Sequence, residues 1–241
     1  MDAHAVIGEL RERADPSRKP GMARVGIDVT QALGVSMPDI RATAKTCGVD
    51  HALSLELWTT GIHEARILAT LVADPDAQTE LERERWVLDI TSWDLCDSAA
   101  DLFGHAPAHS SVIEAWVRRP EAFVKRCAFS MMARRAVWAK QAPDQEFLGY
   151  LPMIRRAATD DRNEVKKGVS WALRQIGKRN RALHSAAIDE AERILLLGTP
   201  SARWIAREGL RELRSEKTRS RLPDCRPPIR TRLSEIAWSR A

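Results

Sequence analysis

Two tryptophans in this sequence sit beside charged residues where apolar neighbours would be the norm. In the segment SWDLCDSAADLF, Leu95, Ala99, Leu102 and Phe103 recur with helical period and form an apolar stripe. Trp93 and Asp97, four residues apart, fall together on the opposite side. Asp101 follows at the edge of that face, and Asp94 lies roughly 100° around from Trp93. A carboxylate next to an aromatic ring suits the stabilisation of a developing cation. The ring offers its negative face and the carboxylate a full charge. The same pattern also fits a plainer reading, with Asp94 capping a helix N-terminus and Asp97 a surface charge.

The stretch from about Arg162 to Lys178 repeats the inversion. Val165, Val169, Ala172, Leu173 and Ile176 make its core stripe. Trp171 projects roughly 145° from the centre of that stripe and shares its face with Lys167, Arg174 and Lys178. Such a face suits a nucleotide platform with cations on phosphates, or packing against a neighbouring repeat. From Glu121 to Lys140, Phe123, Cys127, Met131 and Trp138 give one stripe, with Arg126 and Ser130 off it. Arg126 suits either a phosphate or an ion pair with a preceding acid.

The elements that must position these residues are helices. No strand alternation or hairpin signal stands out. Breakers fall at Pro16–Pro20, Pro38, Pro75, Gly104–Pro107, Pro120, Pro143, Gly177, Gly198–Pro200 and Pro223–Pro228. An internal repeat is visible in FVKRCAFSMM around Val124, EVKKGVSWAL around Val165 and WIAREGLREL around Ile205. HEARILATLV around Arg66 is a weaker copy. A period of about 40 residues is that of HEAT-type helix pairs. The expected fold is therefore an all-α, HEAT-like or armadillo-type superhelix with a concave basic groove. One repeat domain is expected at 1–213. A basic tail at 214–241, partly flexible, would include a short helix at LSEIAW.

Charge narrows the partner. The net charge of +5 conceals a split: residues 1–118 carry a net −8, 119–181 a net +9, 182–213 a net −1 and 214–241 a net +5. A localised cationic surplus favours a polyanion, most often nucleic acid, although solvated charged faces are common on helical proteins. Cys47, Cys96, Cys127 and Cys225 are widely spaced without a CxxC pair, and the histidines lack metal-ligand spacing. No metal and no cofactor are expected. No apolar run approaches a bilayer span, and the first residues lack a signal-peptide apolar segment. A monomeric, cytoplasmic protein without membrane association is the expectation.

The combination of LWTTGIHEARILA, SWDLCD, FVKRCAF and VKKGVSWALRQIGKRN resembles the AlkD-like DNA alkylation repair family over roughly residues 20–213. The resemblance implies HEAT-like repeats cradling duplex DNA and excision of cationic N3- and N7-alkylated purines, without flipping the base. It implies that Asp97 stabilises the oxocarbenium-like centre while Trp93 and Trp171 flank the lesion sugar. Arg126 would hold a phosphate, and Lys125, Lys166, Lys167, Arg174, Lys178 and Arg179 would line the DNA-binding surface. One departure is clear. Where the family carries a tyrosine in an early MARY-type segment, this chain reads MARVG and has Val25. A noncatalytic member of the same family that binds DNA structure is the alternative.

Overall fold

A computed structural model describes residues 1–223. The elements are α1 (Ala3–Glu12), α2 (Lys19–Arg24), α3 (Met37–Cys47), α4 (His51–Thr59), α5 (His63–Val72), α6 (Glu80–Leu88) and α7 (Trp93–His105). They continue with α8 (His109–Trp116), α9 (Ala122–Trp138), α10 (Asp144–Ala157), α11 (Asn163–Ile176), α12 (Arg181–Leu195), α13 (Pro200–Leu213) and α14 (Glu216–Arg219). Among the described residues there is no strand, and no helix is long and apolar enough to cross a membrane.

The helix starts are written into the sequence. Ser36, Asp50, Asn180 and Thr199 each accept a backbone N–H of the turn they open. Thr79 and Glu82 form a reciprocal capping box at α6. Pro38 and Pro200 occupy first-turn positions, where their missing N–H costs nothing.

Helices α3, α5, α7, α9, α11 and α13 pack side by side in chain order, forming one layer. Helices α4, α8, α10 and α12 back that layer, α4 on α5, α8 on α9, α10 on α11 and α12 on α13. This is the expected HEAT-like stack. The repeat positions Val124, Val165 and Ile205 are all buried between the layers.

The stripes predicted for α7 and α11 are buried as expected. Helix α9 is different. Val124, Cys127, Ala128, Phe129, Met131, Met132, Ala133 and Ala136 are all buried, so the apolar surface spans roughly two thirds of the helix circumference. Its place between α7 and α11, with α8 behind, explains why the single expected stripe is not what forms. At the far end, α14 continues the array beyond Leu213, with Thr218 buried. The LSEIAW segment lies outside the described residues.

The loop between α2 and α3 is pinned to this inner layer. Glu64 of α5 is buried and accepts the N–H groups of Leu33 and Gly34 at 2.8 and 2.7 Å. Gly34 has φ +86°, and a Cβ there would lie 2.1 Å from the Asp15 carbonyl oxygen. Only glycine fits.

Candidate active site

Three inner helices each present a line of residues spaced by one turn. From α7 come Trp93, Asp97, Asp101 and His105. From α9 come Arg126, Ser130 and Arg134, and from α11 Lys167 and Trp171. Side chains at i and i+4 lie on one face, and the side-by-side packing of α7, α9 and α11 sets the three lines next to one another.

Asp97 is the centre of this arrangement. Its carboxylate accepts hydrogen bonds from Arg126 Nη2 at 3.0 and 3.1 Å and from Ser130 Oγ at 2.8 Å. All three bonds come from α9. Burial pushes the Asp97 carboxyl above the usual aspartate range, against the opposing charge of Arg126, the Ser130 and Arg126 hydrogen bonds and the charge of Arg134. The anion is therefore held at a cost in a poorly solvated setting. A positive charge developing beside it would relieve that cost.

Arg126 is nearly fully buried, and its Nη1 donates to the Glu164 carbonyl at the start of α11 at 3.1 Å. Its stem crosses α11 at Gly168, where a Cβ would lie 3.3 Å from Arg126 Cγ. Of the two sequence readings of Arg126, the ion pair with a preceding acid is the one formed. Its phosphate contact stays an expectation from the sequence, beside the clamp on Asp97.

Trp93 is exposed, and its Nε1 donates to the Val25 carbonyl at 3.0 Å. Val25 is itself exposed, and it brings no aromatic ring to the site. Its main chain instead orients the indole. Two further bonds hold the same loop against α7, from the Asp28 N–H to Ser92 Oγ at 2.8 Å and from Thr91 Oγ1 to Asp28 Oδ2 at 3.2 Å. Asp94 makes no cap bond. It meets His63 Nε2 of α5 at 2.8 Å. Burial opposes charge on His63, but the hydrogen bond and charge of Asp94, with Glu64 and Asp28, raise its pKa above the usual value.

Trp171 is half-buried and packs partly on the core. The Arg134 guanidinium lies 5.6 Å from the centre of its ring and 3.8 Å from Asp101 Oδ1. Arg134 thus ties the α7 line to the α11 line. With its amide oriented to match its neighbours, Gln175 accepts from Trp171 Nε1 at 3.0 Å.

The cations separate into two groups. Lys125 pairs with Asp160 at 3.2 Å, while Arg174 and Lys178 both bind Glu212. Arg179 donates to the carbonyls of Ala136, Ala139 and Ala142 and lies 4.1 Å from the Phe147 ring. It braces the carbonyl-rich turn that follows the end of α9; a phosphate role for it is an expectation from the sequence. Lys166 lies over Trp204 at 5.1 Å. Lys167 is exposed, and among the described residues it makes no ion pair.

Ser130, Arg134 and His63 are site residues that sequence reasoning did not assign. The first two stand four and eight residues after Arg126 in RCAFSMMAR, and that spacing is the signal for them. Nothing local marks His63, whose partner is 31 residues away. Among the described residues, no group of three or more His, Cys, Asp or Glu side chains is placed to hold a metal ion.

The protein family described as DNA alkylation repair enzyme matches residues 6–213. A solved structure reported as belonging to "a new family of proteins related to the HEAT-like repeat DNA glycosylases with affinity for branched DNA structures" is similar in fold. It has a TM-score of 0.72 and 19% identity, covering 80% of this chain and 83% of that one. Among curated proteins, none matches the chain.

Proposed function

The chain belongs to the DNA alkylation repair enzyme family, and we propose that it is a monofunctional DNA glycosylase acting on cationic N3- and N7-alkylated purines in duplex DNA. The observation that carries the proposal is the Asp97 carboxylate, partly buried, clamped by Arg126 and Ser130, on the same helix face as exposed Trp93.

The reaction asks little of acid catalysis, because an alkylated purine already carries positive charge. The bond between C1′ and the purine nitrogen breaks, and its electron pair leaves with the base, which departs neutral. Positive charge passes to C1′ and the ring oxygen of the sugar. Asp97 stabilises that charge, with Trp93 and Trp171 as flanking aromatic surfaces. Water then adds its oxygen to C1′ and gives up a proton to Asp97 or to solvent. An open groove suits this chemistry without extrusion of the base into a closed pocket. Lys167, unpaired and one turn before Trp171, is a phosphate contact.

The test is release of free 7-methylguanine from methylated duplex DNA. Wild-type protein is expected to release the base and leave an abasic site. Val25, with the similarity to a protein reported to have affinity for branched DNA structures, favours a second reading, a noncatalytic binder of DNA structure. Tight DNA binding without base release would select it.

A further inference from the structure

Among the described tryptophans only two are exposed, each at 38% of its surface: Trp93 at the proposed reaction centre, and Trp204 on α13. Exposing an indole is costly unless it meets a partner. Trp204 has no role in the core. The stripe of α13 is Ala202, Ile205, Ala206, Gly209 and Leu213, and Trp204 lies off it.

Its surroundings are cationic. The Lys166 ammonium of α11 lies 5.1 Å from the centre of the Trp204 ring. Arg203 and Arg207 flank it on α13. By helical geometry Arg207 falls between Arg203 and Trp204, all within an arc of roughly 100°. Both arginines are exposed, as is Lys167 beside Lys166 on the neighbouring helix. Among the described residues none of these three makes an ion pair, whereas the nearby Asp160 is engaged by Lys125 and Arg162, and Glu208 by Arg211. The patch therefore combines an exposed aromatic ring with several cations that, among the described residues, are tied up in no ion pair.

We infer that this patch is a second nucleotide-binding subsite, in which Trp204 stacks on an unpaired base while Arg203, Arg207 and Lys167 bind the flanking phosphates. A base inside an intact duplex has both faces covered by its neighbours. An unpaired base, at an extension, a gap or a branch, can turn a face to a protein ring without breaking a base pair. The cations supply affinity without sequence preference, and the ring supplies preference for unpaired DNA. The inference rests on the reading of the protein as DNA-binding, and adds a site away from Asp97.

The test measures binding of the full-length chain to a blunt duplex and to the same duplex carrying a short single-stranded extension. Wild type is expected to bind the extended duplex more tightly. Trp204→Ala is expected to abolish that preference, a change of about 5- to 100-fold on the extended duplex, while leaving blunt-duplex affinity and thermal stability unchanged. Trp204→Phe should restore most of the preference. Arg203→Ala with Arg207→Ala should weaken both probes and flatten the salt dependence. The stacking site is overturned if wild type shows no preference, if Trp204→Ala keeps it, or if Trp204→Ala weakens both probes equally. If wild type binds neither probe, the DNA-binding reading itself fails.

Discussion

Replacing Arg126 by methionine separates two roles that a buried arginine can have in such a groove. Methionine keeps the unbranched stem that crosses α11 at Gly168 but loses both charge and donors. The variant forfeits the bonds to both Asp97 oxygens and the bond to the Glu164 carbonyl. It also leaves a partly buried carboxylate with Ser130 as its remaining hydrogen-bond donor. Removing one partner of a buried ion pair costs about 3–5 kcal/mol. In a domain of this size each kcal/mol lowers Tm by about 2–4 °C, so the expected fall is about 6–20 °C. The loss should depend on pH in a definite direction. The Asp97 pKa is already raised in the folded protein and rises further without Arg126. Stability is then retained below the unfolded aspartate pKa and lost as pH rises through the folded one, so the penalty shrinks on acidification. Thermal melts across a pH series measure this. An unchanged Tm, together with a salt-dependence slope of DNA binding lower by about one, would refute the clamp and restore Arg126 as a phosphate ligand.

Other expectations follow from the same geometry. Lys167→Ala should lower the salt slope of DNA binding by about one with no loss of Tm. Arg179→Ala should leave the slope alone but cost about 1.5–3 kcal/mol of stability, because its donors serve backbone carbonyls. The raised His63 pKa makes the His63–Asp94 contribution fully present below the unfolded histidine pKa and lost as pH rises through the folded value. Denaturation of wild type against pH should show that loss on the alkaline side, and His63→Gln should flatten it.

The contrast between α11 and α9 explains what could be read from the chain. Helix α11 has one apolar side, and five residues keep its period, so both its core stripe and the off-core position of Trp171 are legible. Helix α9 is enclosed by α7, α8 and α11 over most of its circumference, which leaves no single stripe to read. Helical phase puts Trp93 and Asp97 on one face, but phase carries no distances. It leaves open whether Arg126 meets a carboxylate, and the packing of α7 against α9 supplies that contact. The contacts of Arg179 with backbone carbonyls are not legible in the sequence, because a carbonyl carries no residue signature. The departure at Val25 was visible, but the use of its carbonyl to orient Trp93 was not. Main-chain contacts across 68 residues leave no local pattern.

The most direct test of the central proposal is the single-turnover rate of 7-methylguanine release from duplex DNA by wild type and by Asp97→Asn. The amide keeps the shape of the carboxylate but has no charge to set against the developing sugar cation. Asp97→Asn is expected to bind the duplex as wild type does and to release base about 10²–10³-fold more slowly. Equal rates for the two proteins would contradict the assignment of Asp97 as the group that stabilises the reaction.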